Sequence, residues 1–140
     1  MIKTKGWLIM IMISLSLFGM AACNSTNGGN NSDGNSAVNY EQITPEKAKE
    51  IMDAETGYII IDARTNEEFA EGHIEGAILI PEYEIAQRAE KELPDKNALI
   101  LVYCRSGRRS KIASEELIKL GYTNVKEFGG IIDWPYGTVK

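Results

Sequence analysis

Residues 98–121 read ALILVYCRSGRRSKIASEELIKLG, and this stretch decides the fold. Ala98 to Tyr103 is a continuous apolar run with branched and aromatic members, the pattern of a strand covered on both faces. From Arg108 to Leu120, Ile112, Ala113, Leu117 and Leu120 form an apolar stripe at helical spacing, and Gly121 stands at the C-terminal cap. Only a short loop separates the two. A buried strand feeding directly into a helix implies a crossover and hence a parallel sheet.

The same alternation continues outward on both sides. Thr44-Pro45 is a helix start, a capping hydroxyl with proline in the first turn, and Ala48, Ile51 and Met52 supply its apolar side. Tyr58 to Ile61 is a second buried strand. Thr65 with Glu68 three residues later is a capping box for a short helix ending near Gly72. Ala77 to Ile80 is a further buried strand stopped by Pro81, Glu82 to Leu93 a helix, and Pro94 to Asn97 a turn. Val125 to Phe128 is a last short strand. The prediction is an α/β domain over residues 40–140, a small, mostly parallel sheet with helices on both faces in three layers. That length holds one core and is too short for a second.

The chain has 140 residues, 25% of them charged, and a formal net charge of −5. Lys3 and Lys5 lie at its start, so everything after residue 22 is two charges more acidic still. Such a body has no broad basic surface to displace counterions from phosphates, and nucleic acid is not expected as a partner. Two cysteines, Cys23 and Cys104, cannot make a disulfide framework, and with one histidine they cannot complete a structural zinc site. No metal and no cofactor are expected.

Residues 1–22 have a basic start, an apolar run and small residues before Cys23, the grammar of a secretory signal. An uncleaved anchor is the other reading, although the run is at the short edge of what crosses a bilayer. Met20-Ala21-Ala22-Cys23 resembles the lipobox of bacterial lipoproteins, with Met20 where leucine is more usual. That resemblance implies a Cys23 that carries lipid and becomes the new N-terminus. It places the protein outside the cytoplasm, tethered to a membrane of the bacterial cell envelope. In Asn24 to Asn39, thirteen of sixteen residues are Asn, Ser, Thr or Gly. With almost nothing apolar to bury, residues 23–39 read as a disordered tether reaching about 20 to 25 Å.

In parallel α/β folds ligands bind where strands end and helices begin. Here that point is Cys104-Arg105-Ser106-Gly107-Arg108-Arg109-Ser110. A cysteine at a helix N-terminus meets free backbone N–H groups, and three arginines within five residues add positive charge. Both favour thiolate over thiol. Gly107 permits the bend that aims successive N–H groups at one anion. A buried structural cysteine is the alternative reading of Cys104, and the three arginines beside it argue against that.

At this loop the sequence resembles the rhodanese family, and the resemblance extends over nearly the whole domain. Ile61-Asp62-Ala63-Arg64 with Glu68-Phe69 is similar to the family's Asp-x-Arg segment. Gly72-His73-Ile74-Glu75-Gly76-Ala77, ending at Pro81, is similar to its Gly-His-Ile-x-Gly-Ala signature. Cys104 to Ser110 is similar to its active loop, and Gly129-Gly130 with Trp134 to its C-terminal Gly-Gly-x-x-x-Trp. Leu79 stands where a polar residue is more usual, and a short final helix is expected after Trp134.

The resemblance implies a rhodanese-like fold and a sulfurtransferase. Cys104 takes the outer sulfur of thiosulfate, or of a polysulfide or persulfide donor, as a persulfide and passes it to cyanide or a thiol. Arg105, Ser106, Gly107, Arg108 and Arg109 are the expected substrate-binding residues, Arg105 and Arg108 before Arg109. The implied partners are a small anionic donor, a thiol or cyanide acceptor and the membrane, and a monomer is expected. Asp62 and Arg64 read as a bracing pair, His73 as a residue satisfying nearby backbone, and Trp134 as a lid on the core. Three rivals remain in view. A phosphatase of this fold needs arginine at position 110, where Ser110 stands. A non-catalytic binding module has no use for the cysteine and its arginines. A thiol–disulfide oxidoreductase normally has a second, resolving cysteine.

Overall fold

The computed structural model describes residues 39–140. The leader, Cys23 and nearly all of the tether lie outside the described residues. The elements in order are β1 (Glu41–Gln42), α1 (Pro45–Ala54), β2 (Ile59–Asp62), α2 (Asn66–Glu71) and β3 (Ala77–Leu79). A 3-10 turn (Glu82–Glu84), α3 (Ile85–Glu92), β4 (Ile100–Cys104), α4 (Arg108–Lys119), β5 (Val125–Gly130) and a second 3-10 turn (Ile131–Asp133) follow. The strands form one five-stranded sheet in the order β1-β5-β4-β2-β3, and every pairing is parallel.

Period-two alternation on the central strand divides the core between the sheet's two faces. Ile100, Val102 and Cys104 point with Ile61 toward Ala89 of α3 and Ala113 and Leu117 of α4. Leu101 and Tyr103 point the other way, with Ile60 and Phe128, toward Ala48 of α1. Helices thus cover both faces, as the alternating pattern implies.

The local signals explain most of the boundaries. Thr44 accepts the Lys47 N–H at 3.2 Å at the start of α1, with Pro45 in its first turn. Thr65 and Glu68 make both bonds of the capping box at the head of α2. β3, expected to be buried, is instead an edge strand, and its Ile78 is 36% exposed because no strand or helix among the described residues covers that side. The other differences fall where helical geometry is tighter or the signal shorter than the pattern implied. The expected helix from Glu82 begins as a 3-10 turn and becomes α-helical only at Ile85. Ile112 is 42% exposed, because the buried side of α4 is Ser110, Ala113, Ser114 and Leu117. β1 has only two exposed residues, joined to β5 through backbone, and no side-chain pattern announces it. The expected final helix is the three-residue turn Ile131–Asp133, which lies before Trp134 and not after it. Beyond it the chain folds back, and Val139 bridges His73 in antiparallel fashion.

Asp62 and Arg64 form the expected brace. Arg64 Nη2 lies 2.7 Å from Asp62 Oδ2 and donates also to the Gly72 carbonyl, so it ties the end of β2 to the end of α2. Tyr103 donates to the same carboxylate at 2.6 Å and accepts the Ile74 N–H at 3.1 Å. His73 hydrogen-bonds the Phe69 carbonyl through Nδ1 and stacks on the Phe69 ring at 3.7 Å. Trp134 packs on Phe128 at 5.6 Å between ring centres.

Candidate active site

Cys104 is the last residue of the central strand and is 1% exposed. Arg105, Ser106 and Gly107 form the whole connection to α4. Gly107 has φ +97° and is the N-cap of the helix, so no side chain there takes up the free N–H groups of the first turn. The N–H of Gly107 itself turns on the sulfur, donating to Cys104 Sγ at 3.1 Å. Burial pushes the Cys104 thiol up, but the Ser110 hydroxyl and the N–H groups of Ser110, Ser106 and Gly107 outweigh it. The net effect lowers the thiol below its ordinary range.

A bulge in β5 closes the cradle from below. Val102 pairs with Glu127 and Cys104 with Gly130, so β5 carries one residue more than β4 over this span. Gly129 absorbs it at φ +90°. Gly130 then lies directly against the loop, where a Cβ would stand 2.2 Å from the Arg105 carbonyl oxygen. Only glycine fits there.

The structure treats the three loop arginines differently. Arg105 and Arg108 are exposed and, among the described residues, are the arginines without a carboxylate partner. Arg109 is 18% exposed and holds Glu68 of α2 in a bidentate pair at 2.6 and 2.8 Å. It also lies close enough to feel the Cys104 charge. Its hydrogen bonds hold the Glu68 carboxyl at a pKa of about 2. Ser106 is exposed at the loop tip, whereas Gly107 and Ser110 are buried.

Two participants escaped the sequence reading. The sequence places Glu68 in a capping box and beside the Asp-x-Arg segment, and gives no sign that it neutralises Arg109. Glu127 was read only as part of a short strand, yet it is 3% exposed beneath the loop and accepts the Ser110 hydroxyl at 2.6 Å. The signal for Glu127 was its place two residues from Val125, on the inward side of β5. Among the described residues no group of three or more histidine, cysteine or carboxylate side chains is placed to hold a metal ion.

Comparison with known proteins points the same way. The family described as "Rhodanese-like domain" matches residues 44–134. Thiosulfate sulfurtransferase PspE of Escherichia coli K12 is 42% identical over 80 residues, which are 57% of this chain and 77% of that protein. Thiosulfate sulfurtransferase GlpE of Haemophilus influenzae is 34% identical over 98 residues, 69% of this chain and 90% of that one. Among solved structures, a rhodanese with anions from E. coli superposes with a TM-score of 0.56 at 41% identity, covering 59% of this chain and 98% of its own. A protein from Staphylococcus saprophyticus reaches a TM-score of 0.64 at 29% identity, over 71% of this chain and 99% of its own. A cysteine on the central strand, a glycine-capped helix behind it and these matches lead to one conclusion: the chain belongs to the rhodanese-like domain family.

Proposed function

We propose that the protein is a thiosulfate-type sulfurtransferase that carries sulfur on Cys104. The Cys104 thiolate attacks the outer sulfur of thiosulfate, the S–S bond of thiosulfate breaks, and sulfite leaves with the bonding pair. Cys104 is left as a persulfide anion. Cyanide or a thiolate then attacks the outer sulfur, forming thiocyanate or a new persulfide and returning the Cys104 thiolate. The observation that carries this reading is a buried sulfur at the head of α4, a helix with no side-chain cap, that accepts the Gly107 N–H at 3.1 Å. Backbone donors suit a persulfide because they are fixed in place and cost no reorganisation as charge moves outward. Arg105 and Arg108, exposed beside the loop, draw in the anionic donor.

Mass spectrometry tests the reading directly. Thiosulfate should add the mass of one sulfur atom to the protein, cyanide should remove it, and Cys104→Ser should abolish both. Ready hydrolysis of an aryl phosphate without any added sulfur would support the phosphatase reading instead.

The same proposal includes the membrane. The Met20-Ala21-Ala22-Cys23 segment supports a lipid-anchored protein held outside the cytoplasm, with residues 24–39 as its tether. Cys23→Ser should release the protein from membranes and abolish labelling by palmitate. Retention without label would favour an uncleaved anchor.

A further inference from the structure

Glu127 is 3% exposed and, among the described residues, has no cation paired with it. Its hydrogen bonds all fall on one oxygen. Oε1 accepts the Ser110 hydroxyl at 2.6 Å and the Gly129 N–H at 2.8 Å, and Oε2 accepts nothing among the described residues. There the one side-chain polar atom that is both enclosed and without a partner is Ser114 Oγ. Oε2 therefore reaches open space, and Glu127 lines a cleft of about 400 Å³ between β1, β5 and the head of α4. A carboxylate sunk so deep is costly unless a cation or further donors meet it.

The walls of the cleft say what kind of group that is. Its charged side chains are two carboxylates, Glu127 and Asp133, against the single ammonium of Lys111, so the space is net negative. Lys111 is exposed and pairs with no carboxylate among the described residues. A metal ion is poorly served, since no group of three or more histidine, cysteine or carboxylate side chains is placed there to hold one. A quaternary ammonium is held over aromatic faces, and Phe128, the aromatic residue of the walls, is 1% exposed. What remains is a cation that brings its own N–H donors.

We propose that this cleft binds a small organic molecule through its primary ammonium, with Glu127 Oε2 as the anchor. An ammonium has three donors. Oε2 takes one at the buried end, and the Thr44 and Ser106 hydroxyls and the Gln42 amide oxygen are the acceptors that the walls offer to the others. Oε1 keeps its bonds to Ser110 and Gly129, so a bound cation leaves the support of the loop in place. The site also touches the loop directly. Ser106 and Gly107 line it, and a Cβ on Gly107 would stand 3.9 Å from Glu127 Oε1.

The test needs no sulfur donor, so it stands or falls apart from the proposed function. The full chain, labelled with nitrogen-15 at glycine and held in detergent micelles, is titrated with propylammonium chloride. Tetramethylammonium chloride, which has the charge but no N–H donor, is run at the same ionic strength. Propylammonium should shift the Gly107 and Gly129 amide resonances and saturate with a Kd of about 1 to 10 mM, inside the ceiling for so few atoms. Tetramethylammonium should not saturate. Glu127→Gln keeps Oε1 as an acceptor and puts an NH₂ donor in place of Oε2, so affinity should fall by at least about tenfold. Lys111→Met removes the one competing cation and should tighten binding about threefold. Equal shifts from both salts, or no saturation in the wild type, overturn the proposal even if no variant folds. So does saturation that survives Glu127→Gln unchanged, which would put the cation elsewhere. Binding in Lys111→Met alone also overturns it, because Lys111 would then already serve Oε2.

Discussion

Arg109 and Glu68 meet across the mouth of the cradle in a fork-to-fork pair at 2.6 and 2.8 Å, joining the first turn of α4 to α2. The pair fixes the helix that supplies the N–H donors, and it offsets a positive charge that an anionic donor could otherwise use. Glu68→Gln should therefore lower KM for thiosulfate by about fivefold, equivalent to about 1 kcal/mol. The same change should lower folding stability by about 1 kcal/mol. Steady-state kinetics beside urea unfolding check both halves. A KM that rises would mean the carboxylate orients Arg109 toward the donor.

Acid should loosen this pair in a defined window. The Arg109 hydrogen bonds lower the folded Glu68 pKa to about 2, well below its ordinary value. A depressed carboxylate stabilises the fold above its unfolded pKa, and that stability is lost as pH falls through the folded one. Thermal melts should thus show a loss of stability between about pH 4.5 and 2 that Glu68→Gln lacks.

Gly130→Ala tests the close approach beneath the loop. Its Cβ would meet the Arg105 carbonyl oxygen at 2.2 Å and Ser106 Cα at 2.6 Å, both backbone atoms that cannot rotate away. The loop must lift, and with it the donors of Ser106 and Gly107. Sulfur loading at Cys104 should fall by at least about tenfold, as expected when fixed anion donors are lost. Cyanolysable sulfur measured after thiosulfate treatment reads this, and unchanged loading would mean the loop tolerates the shift.

The Asp62 cluster makes a contrasting prediction, on stability. Asp62→Ala leaves Arg64 buried without its carboxylate, at a cost of about 3 to 5 kcal/mol. Tyr103→Phe removes the bond to Asp62 and strands the Ile74 N–H, at a cost of about 1 to 3 kcal/mol. Burial and the neighbouring Asp62 push the Tyr103 phenol up, so its contribution should not change with pH in the ordinary range. Tyr103→Phe should leave sulfur loading as it is. Chemical denaturation and persulfide assay on each variant separate the two effects.

The sequence was most legible where side chains alone determine structure. The run from Ile100 to Cys104 is apolar because both faces of β4 are covered, and its end places the Cys104 sulfur at the head of α4. The capping chemistry of Thr44 and of Thr65 with Glu68 is local and could be read directly. What stayed hidden depends on geometry between elements. Ser110 and Ser114 look like solvent residues, yet they share a face with Ala113 and Leu117, and their small size lets α4 lie close on the sheet. Ile112 looks like core and is left outside. The role of Glu127 needed the bulge at Gly129 to be known, since only the extra residue sets Gly130 against the loop and Glu127 beneath Ser110. β1 is held by backbone bonds, which no residue pattern encodes.

The strand order β1-β5-β4-β2-β3 seats Cys104 on the middle strand, with two strands on either side. Middle strands open last when a sheet frays, whereas a loop braced by one ion pair and a few hydrogen bonds opens early. The sulfur and the donors around it should therefore part company well before the domain unfolds. In an ageing or gently heated sample, Cys104 stays in place after the loop has let go. Counting intact thiol should then overstate the fraction whose loop is closed, and batches matched by thiol content can differ in that fraction.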